Sequence, residues 1–97
     1  MQAAQRLSQF PHAGRLAEVK QMISKYLCSD CVVRIEHTPR VVDRHVRWQP
    51  WGQTFFALRD ATPLIDEIVA CRAKFPTHTI RLCAERLRPQ SRLVFWV

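Results

Sequence analysis

The segment CVVRIEH, residues 31–37, alternates apolar and polar side chains along its length. Val33 and Ile35 fall on one face, whereas Val32, Arg34 and Glu36 fall on the other. Successive side chains of a strand point to opposite faces, and β-branched residues are favoured in strands. The segment therefore predicts a β-strand with one buried face, and the other elements can be arranged around it.

A helix is predicted immediately before this strand. Between Arg15 and Leu27 apolar residues recur at helical spacing, and charged residues fill the opposite side. The apolar positions are Leu16, Val19, Ile23, Tyr26 and Leu27.

The chain after the first strand is rich in turn-forming residues and in aromatic residues. Residues 37–45 contain Pro39 and mixed charge, which predicts a loop, with a second strand around His45 to Trp48. The stretch RWQPWGQTFFALRDA, residues 47–61, holds two of the three tryptophans and two of the five phenylalanines. We interpret it as a strand end, a corner and a helix cap.

The second half of the chain predicts a helix and two more strands. Asp60 or Thr62 can cap the helix, and Pro76 is expected to end it. Residues 77–85 and 92–97 then alternate, with a polar turn between them.

This order of elements predicts an α+β fold. Short connections between successive strands favour antiparallel pairing, so we expect a four-stranded antiparallel sheet with two helices packed on one face. A chain of 97 residues allows one compact domain, so residues 1–14 are interpreted as an amino-terminal arm and residues 15–97 as that domain.

Charge and hydropathy limit the possible partners. Fifteen lysines and arginines against eight acidic residues give a net charge of +7, which favours an acidic partner. No apolar run approaches the roughly 20 residues of a membrane span, and the first residues lack the apolar stretch of a secretory signal. We therefore predict an intracellular protein without a membrane partner.

The cysteines and histidines do not form a recognisable catalytic or metal site. Cys28 and Cys31 have the two-residue gap of zinc and redox sites, but the pair ends a helix and opens a strand, whereas a redox pair normally follows a strand. In a reducing compartment all four cysteines are expected to be thiols. The four histidines are scattered, and no nucleophile signature or glycine-rich phosphate loop is present. The sequence predicts no catalytic residue, no metal and no cofactor.

A basic nucleic-acid-binding module is the alternative from another class of protein. Bases stack on aromatic rings while arginines neutralise phosphates, and this requires rings on an open sheet face. Phe95 shares the predicted core face with Leu93 and Val97, and only Trp96 points the other way. The alternative is therefore disfavoured.

Residues 48–82 resemble the small subunit of ribulose bisphosphate carboxylase (RuBisCO). The matching positions, which need no gap, are Trp48, Trp51, Gly52, Phe56, Asp60, Glu67, Cys71 and Arg72, followed by Pro76, Ile80 and Arg81. Upstream, Phe10-Pro11 and Ile35-Glu36-His37 are also similar to family segments. Gln53-Thr54 departs from the family, which has a Leu-Pro step there.

The resemblance implies a non-catalytic subunit that binds and stabilises the RuBisCO large-subunit octamer in carbon dioxide fixation, with eight large and eight small chains in the complex. A small-subunit-like adaptor, which binds assembled RuBisCO for packaging into carboxysomes, is the alternative. The short loop before Trp48 is more similar to bacterial members of the family. The resemblance therefore implies the bacterial cytoplasm or a carboxysome, whose proteins would be further partners.

The expected partner-binding residues combine a basic loop with neighbouring rings. Arginine and tryptophan are favoured as interface anchors because each buries a large area while making directed hydrogen bonds. The candidates are Phe10, Arg40, Arg44, Arg47, Trp48 and Trp51. For Trp48 the alternative is a core position within a strand.

Overall fold

The computed structural model describes residues 13–39 and 46–97. Most of the predicted arm and the candidates Phe10, Arg40 and Arg44 lie outside the described residues. The helices are α1 (Ala13–Ile23), which continues into a 3₁₀ turn (Ser24–Tyr26), and α2 (Thr62–Lys74). The strands are β1 (Cys31–Thr38), β2 (Gln49–Phe56), β3 (Thr79–Leu87) and β4 (Gln90–Trp96). The predicted order of elements is confirmed.

The four strands form one antiparallel sheet in the order β2-β1-β3-β4. Each hairpin places two successive strands side by side, and the hairpins meet where β1 pairs with β3. In that pairing Val33 lies opposite Ala84 and Ile35 lies opposite Leu82. The inward-facing residues of the two central strands therefore share one face, as the alternation predicts.

Both helices cover this inward face. Val19 and Ile23 of α1, and Leu64, Ile68 and Cys71 of α2, are at most 2% exposed and join the buried strand residues in one core cluster. Burying an aliphatic side chain contributes about 1.5–3 kcal/mol, so these helix positions hold the two layers together. The predicted α+β class, with two helices on one face of the sheet, is confirmed.

The position predicted for the second strand is wrong. β2 runs from Gln49 to Phe56, so most of the stretch interpreted as a corner is an edge strand. Pro50 has no N–H to donate, and an edge strand tolerates this because one side of it is unpaired. Gly52 lies where the register shifts between Val33 and Ile35, and its φ of +65° suits an irregularity that bends the strand. Pro50 and Gly52, which in the sequence are typical of turns, therefore lie within an edge strand, and Gly52 lies at its irregularity.

The ends of α2 agree closely with the sequence. Asp60 Oδ1 accepts hydrogen bonds from the backbone N–H and the hydroxyl of Thr62, both at 3.1 Å, although Ala61 occupies the N-cap position. The helix ends at Lys74, two residues before Pro76. Among the described residues, no helix is long and apolar enough to cross a membrane.

The prediction that all four cysteines are thiols is wrong for one pair. Cys28 and Cys31 form a disulfide, whereas Cys71 and Cys83 are free and buried. The Cys31 N–H donates to the Cys28 carbonyl at 3.1 Å, and this turn brings the two Cα atoms to 5.2 Å, within the range that a disulfide spans. The compartment sets the general tendency of thiols to oxidise, whereas this turn brings these two cysteines within bonding range.

Candidate functional site

Trp48 and Trp51, which the sequence groups together as partner-binding candidates, lie on opposite faces of the sheet. Trp51 is paired with Ile35, so its ring points toward the helices. Trp48 precedes β2 and packs against Trp96 on the face that the helices leave uncovered, with the ring centroids 5.2 Å apart. We call this second face the open face.

Glu36 organises the polar groups at the centre of the open face. Its Oε1 accepts hydrogen bonds from Arg81 Nε at 2.8 Å and from the Cys83 thiol at 3.2 Å. Its Oε2 lies 3.5 Å from Arg34 Nε. Burial would raise the pKa of Glu36, but the bonds from Cys83 and Arg81 and the charges of both arginines outweigh it, so the pKa is lowered. Glu36 is therefore an anion that fixes the arginines around it.

Arg81 connects this carboxylate to the tryptophans. Its guanidinium carbon lies 4.1 Å from the centroid of the Trp48 ring, which is a close cation–π contact. Trp48, Arg81 and Trp96 therefore form one cluster, which we call the tryptophan–arginine cluster, and Glu36 orients it through Arg81. Trp96 remains 51% exposed, so the cluster presents an accessible ring.

The end of β4 is tied to α1 beside this cluster. Arg15 donates from Nε at 3.0 Å and from Nη2 at 2.7 Å to the carbonyl oxygen of Trp96. A guanidinium that makes both bonds holds the backbone of Trp96 at the edge of the sheet. The backbone that carries the Trp96 ring is therefore held in place by a residue of α1, on the other side of the sheet.

A second aromatic group lies on the helix side and includes Trp51. The Trp51 indole N–H donates to Glu67 Oε2 at 2.9 Å, which joins β2 to α2. The Trp51 ring meets His37 and Phe75 edge-on, both at 6.0 Å between centroids. Phe75 also stacks on His78 at 4.4 Å. These contacts pack the end of the sheet against α2, and Trp51 takes part in them rather than in the open face.

Of the three partner-binding candidates that lie within the described residues, two are placed together. Arg47 is exposed and adjoins the half-buried Trp48, whereas Trp51 lies across the sheet. Glu36, Arg81 and Trp96 were not among the candidates. The alternation of β1, β3 and β4 puts these three residues on the outward side, but their proximity depends on the pairing of strands distant in sequence.

The described residues contain no group of three or more histidine, cysteine or acidic side chains that could hold a metal ion. Within the same residues, no buried side-chain nitrogen or oxygen lacks a hydrogen-bond partner. The polar groups named above are thus engaged in holding the fold and the tryptophan–arginine cluster.

The architecture belongs to the class of small α+β domains in which two helices cover one face of a four-stranded antiparallel sheet. The family model described as ribulose bisphosphate carboxylase, small chain, matches residues 6–97. The chain therefore belongs to the RuBisCO small-chain family, the non-catalytic component of that enzyme.

Individual relatives agree with this assignment. The chain is 35% identical over 68 residues to the RuBisCO small subunit of Xanthobacter flavus, covering 70% of this chain and 51% of the relative. It is 34% identical over 68 residues to a plasmid-encoded RuBisCO small subunit of Cupriavidus necator, covering 70% and 49%. The structure is similar to RuBisCO from Galdieria partita, with a TM-score of 0.72, 25% identity and coverage of 84% of this chain and 62% of that chain. The chain spans about half the length of the curated relatives it matches.

Proposed function

We propose that this chain acts as a non-catalytic small subunit that binds and stabilises the RuBisCO large-subunit octamer in carbon dioxide fixation. The family match over residues 6–97 carries the proposal. The likeness to a RuBisCO structure over 84% of the chain supports it. Stabilisation would follow from binding itself, because a ligand that binds only the assembled octamer shifts the equilibrium toward assembly.

Arg47 and Trp48 are the described candidates that best suit a partner contact. Arg47 is exposed, and Trp48 is held in place by Arg81. An ordered tryptophan beside an arginine is a favourable interface anchor because little side-chain freedom remains to be lost on binding. The net charge of +7 also suits an acidic partner surface. Phe10, Arg40, Arg44 and Trp51 remain candidates from the sequence.

The proposal is tested by mixing the chain with RuBisCO large-subunit octamers that lack small chains. We expect co-elution in gel filtration and an increase in carboxylase activity. Absence of both would overturn the proposal.

The same experiment distinguishes the adaptor alternative, which the high positive charge favours because surface electrostatic binding is weak and reversible. An adaptor would not bind bare octamers but would bind complete RuBisCO, and it would be released as salt is raised. That result would also direct the search for partners to carboxysome proteins in the bacterial cytoplasm.

A further inference from the structure

We propose that the Cys28–Cys31 disulfide is a reversible redox switch, which a dithiol reductant opens and which controls the order of one end of the sheet. The switch consists of residues 28–31, which we call the cysteine turn. The inference goes beyond the proposed function, because it concerns the chain by itself and does not depend on binding to the large subunit.

The cysteine turn holds both strands that flank β1. The Cys31 carbonyl accepts a hydrogen bond from the Ala57 N–H, just after β2, at 2.9 Å. The Asp30 carbonyl accepts one from the Leu87 N–H, at the end of β3, also at 2.9 Å. Because β2 and β3 lie on either side of β1, these two bonds join three strands to one turn. A change in the turn therefore reaches the end of the sheet on both sides.

A charged contact extends the effect of the turn to the hairpin between β3 and β4. Asp30 Oδ1 lies 3.2 Å from Arg88 Nη2, and the Arg88 side chain is 82% exposed. An exposed ion pair contributes little free energy of its own, so this contact forms only while the turn holds Asp30 beside the hairpin. Opening the disulfide therefore releases the Arg88 guanidinium as well as the backbone bond to Leu87.

The exposure of the cysteine turn allows a reductant to reach one of its sulfurs. Cys28 is half-buried and Ser29 is exposed, whereas Cys31 is 2% exposed. Exchange begins when a thiolate attacks a sulfur that it can reach, so Cys28 Sγ is the expected point of attack. The S–S bond breaks with its electron pair on Cys31 Sγ, which takes up a proton. The second thiol of the reductant then displaces Cys28, so two cysteine thiols form and the dithiol becomes a disulfide.

The rest of the fold does not require the bond. The disulfide closes a ring of only four residues, so its removal frees a short segment and not a large loop. The Cys31 N–H still donates to the Cys28 carbonyl, and β1 still pairs with β3 from Cys31 to Thr38. Cys71 is a fully buried free thiol, so the core accepts an unbonded sulfur such as that of reduced Cys31. Both redox states therefore fit the same core, and the cysteine turn is the part that changes.

The test follows amide hydrogen exchange in the isotope-labelled full chain by nuclear magnetic resonance, before and after treatment with dithiothreitol. We expect the Ala57 and Leu87 amides to exchange roughly tenfold or more faster after reduction. The Val97 amide donates to the Ile80 carbonyl at the opposite end of the sheet, at 2.9 Å, and its exchange should change by less than about twofold. Removal of the reductant and reoxidation should restore the original rates.

Two cysteine variants assign the response to this pair. Cys28→Ser cannot form the bond, so its exchange rates should match those of the reduced parent and should not respond to dithiothreitol. Cys83→Ser is the matched control, because serine keeps a donor for Glu36 and leaves the cysteine turn intact, and it should retain the full response. A response that is lost in Cys83→Ser would belong to a free thiol and would overturn the inference.

The remaining outcomes are also decisive. If dithiothreitol does not reduce the bond in the folded protein, the disulfide is permanently closed and the inference is wrong. If reduction abolishes the circular dichroism of the folded chain, the bond is required for the whole fold and is not a switch. Equal acceleration at Ala57, Leu87 and Val97 would indicate general stabilisation, and unchanged rates would show that the turn does not control the end of the sheet. Either result contradicts the inference, whereas a local and reversible change supports it.

Discussion

His37 and His78 face each other at one end of the sheet, with their Nδ1 atoms 2.9 Å apart. A hydrogen bond between two imidazole nitrogens needs one N–H and one lone pair, so the contact is lost when both rings are protonated. His37 is only 3% exposed, and its burial, followed by the charge of His78, lowers its pKa. This contact links the end of β1 to the segment that precedes β3.

We expect the histidine pair to make stability depend on pH below neutrality. Because the pKa of His37 is lowered in the folded state, the unfolded chain binds its proton first as pH falls below about 6.5. The free energy of unfolding should therefore decrease from pH 7.5 to pH 5.5, as measured by urea denaturation. His37→Gln should flatten this dependence; an unchanged slope in the variant would assign the effect to other groups.

Glu36 should contribute stability that is lost only at acidic pH. Its folded pKa is lowered, so its contribution is present above the unfolded value of about 4.5 and disappears as pH falls through the lower folded value. At pH 7, Glu36→Gln should lower the free energy of unfolding by about 1–3 kcal/mol, because charged hydrogen bonds to Arg81 and Cys83 are weakened. Chemical denaturation measures this loss.

Glu85→Gln is the control for that substitution. Glu85 lies on the same face, and among the described residues it makes no ion pair. Its substitution should change stability by less than about 0.5 kcal/mol. Equal losses in both variants would contradict the central role of Glu36.

Two positions with positive φ should respond in opposite directions to exchange of glycine and alanine. Gly52 has a φ of +65°, and a Cβ there would lie 3.3 Å from Glu67 Oε2. Gly52→Ala should therefore lower stability by about 1–2 kcal/mol, the usual cost of the left-handed conformation. Ala57, exposed with a φ of 54°, already bears that cost, so Ala57→Gly should be neutral or stabilising by up to about 1 kcal/mol. Thermal melts followed by circular dichroism test both; a stabilising Gly52→Ala would refute this account.

The cysteine pairing can be checked by counting reactive thiols. Cys71 is fully buried, and burial raises the pKa of its thiol to about 11. Cys83 is 5% exposed, and its pKa is raised as well, first by burial and then by its hydrogen bond to Glu36. Native protein at pH 8 should therefore react slowly with iodoacetamide, because the thiolate is the nucleophile.

Unfolding without reductant should expose two thiols, and unfolding with reductant should expose four, since Cys28 and Cys31 are disulfide-bonded. Mass spectrometry counts the added groups. Four labelled cysteines in protein unfolded without reductant, under conditions that exclude prior reduction, would show that the bond does not form.

Local patterns predicted most of the fold because they are repeated along each element. The alternation of residues 31–37 identified β1 and its buried side, and Pro76 predicted the end of α2 within two residues. The limits of β2 were not predictable in this way. Pro50 and Gly52 favour turns in isolation, and only pairing with β1 makes this segment an edge strand.

The candidate site was less predictable because it is assembled from distant segments. Glu36 and Arg81 are 45 residues apart in sequence and become neighbours through the register of β1 and β3. Trp48 and Trp51 are close in sequence but are separated by the sheet. The spacing of these residues in the sequence predicts neither the contact between Glu36 and Arg81 nor the separation of Trp48 from Trp51.

By itself, the sequence determined the α+β class, the order of the elements, the inward faces of β1, β3 and β4 and the family resemblance, because local periodicity and motif order encode these features. The tertiary structure decided which tryptophan joins the open face, which carboxylate holds Arg81, and that Cys28 meets Cys31 in a disulfide. The physical reason is that these contacts depend on strand register and on a tight turn, which bring together residues whose local patterns do not determine each other's position.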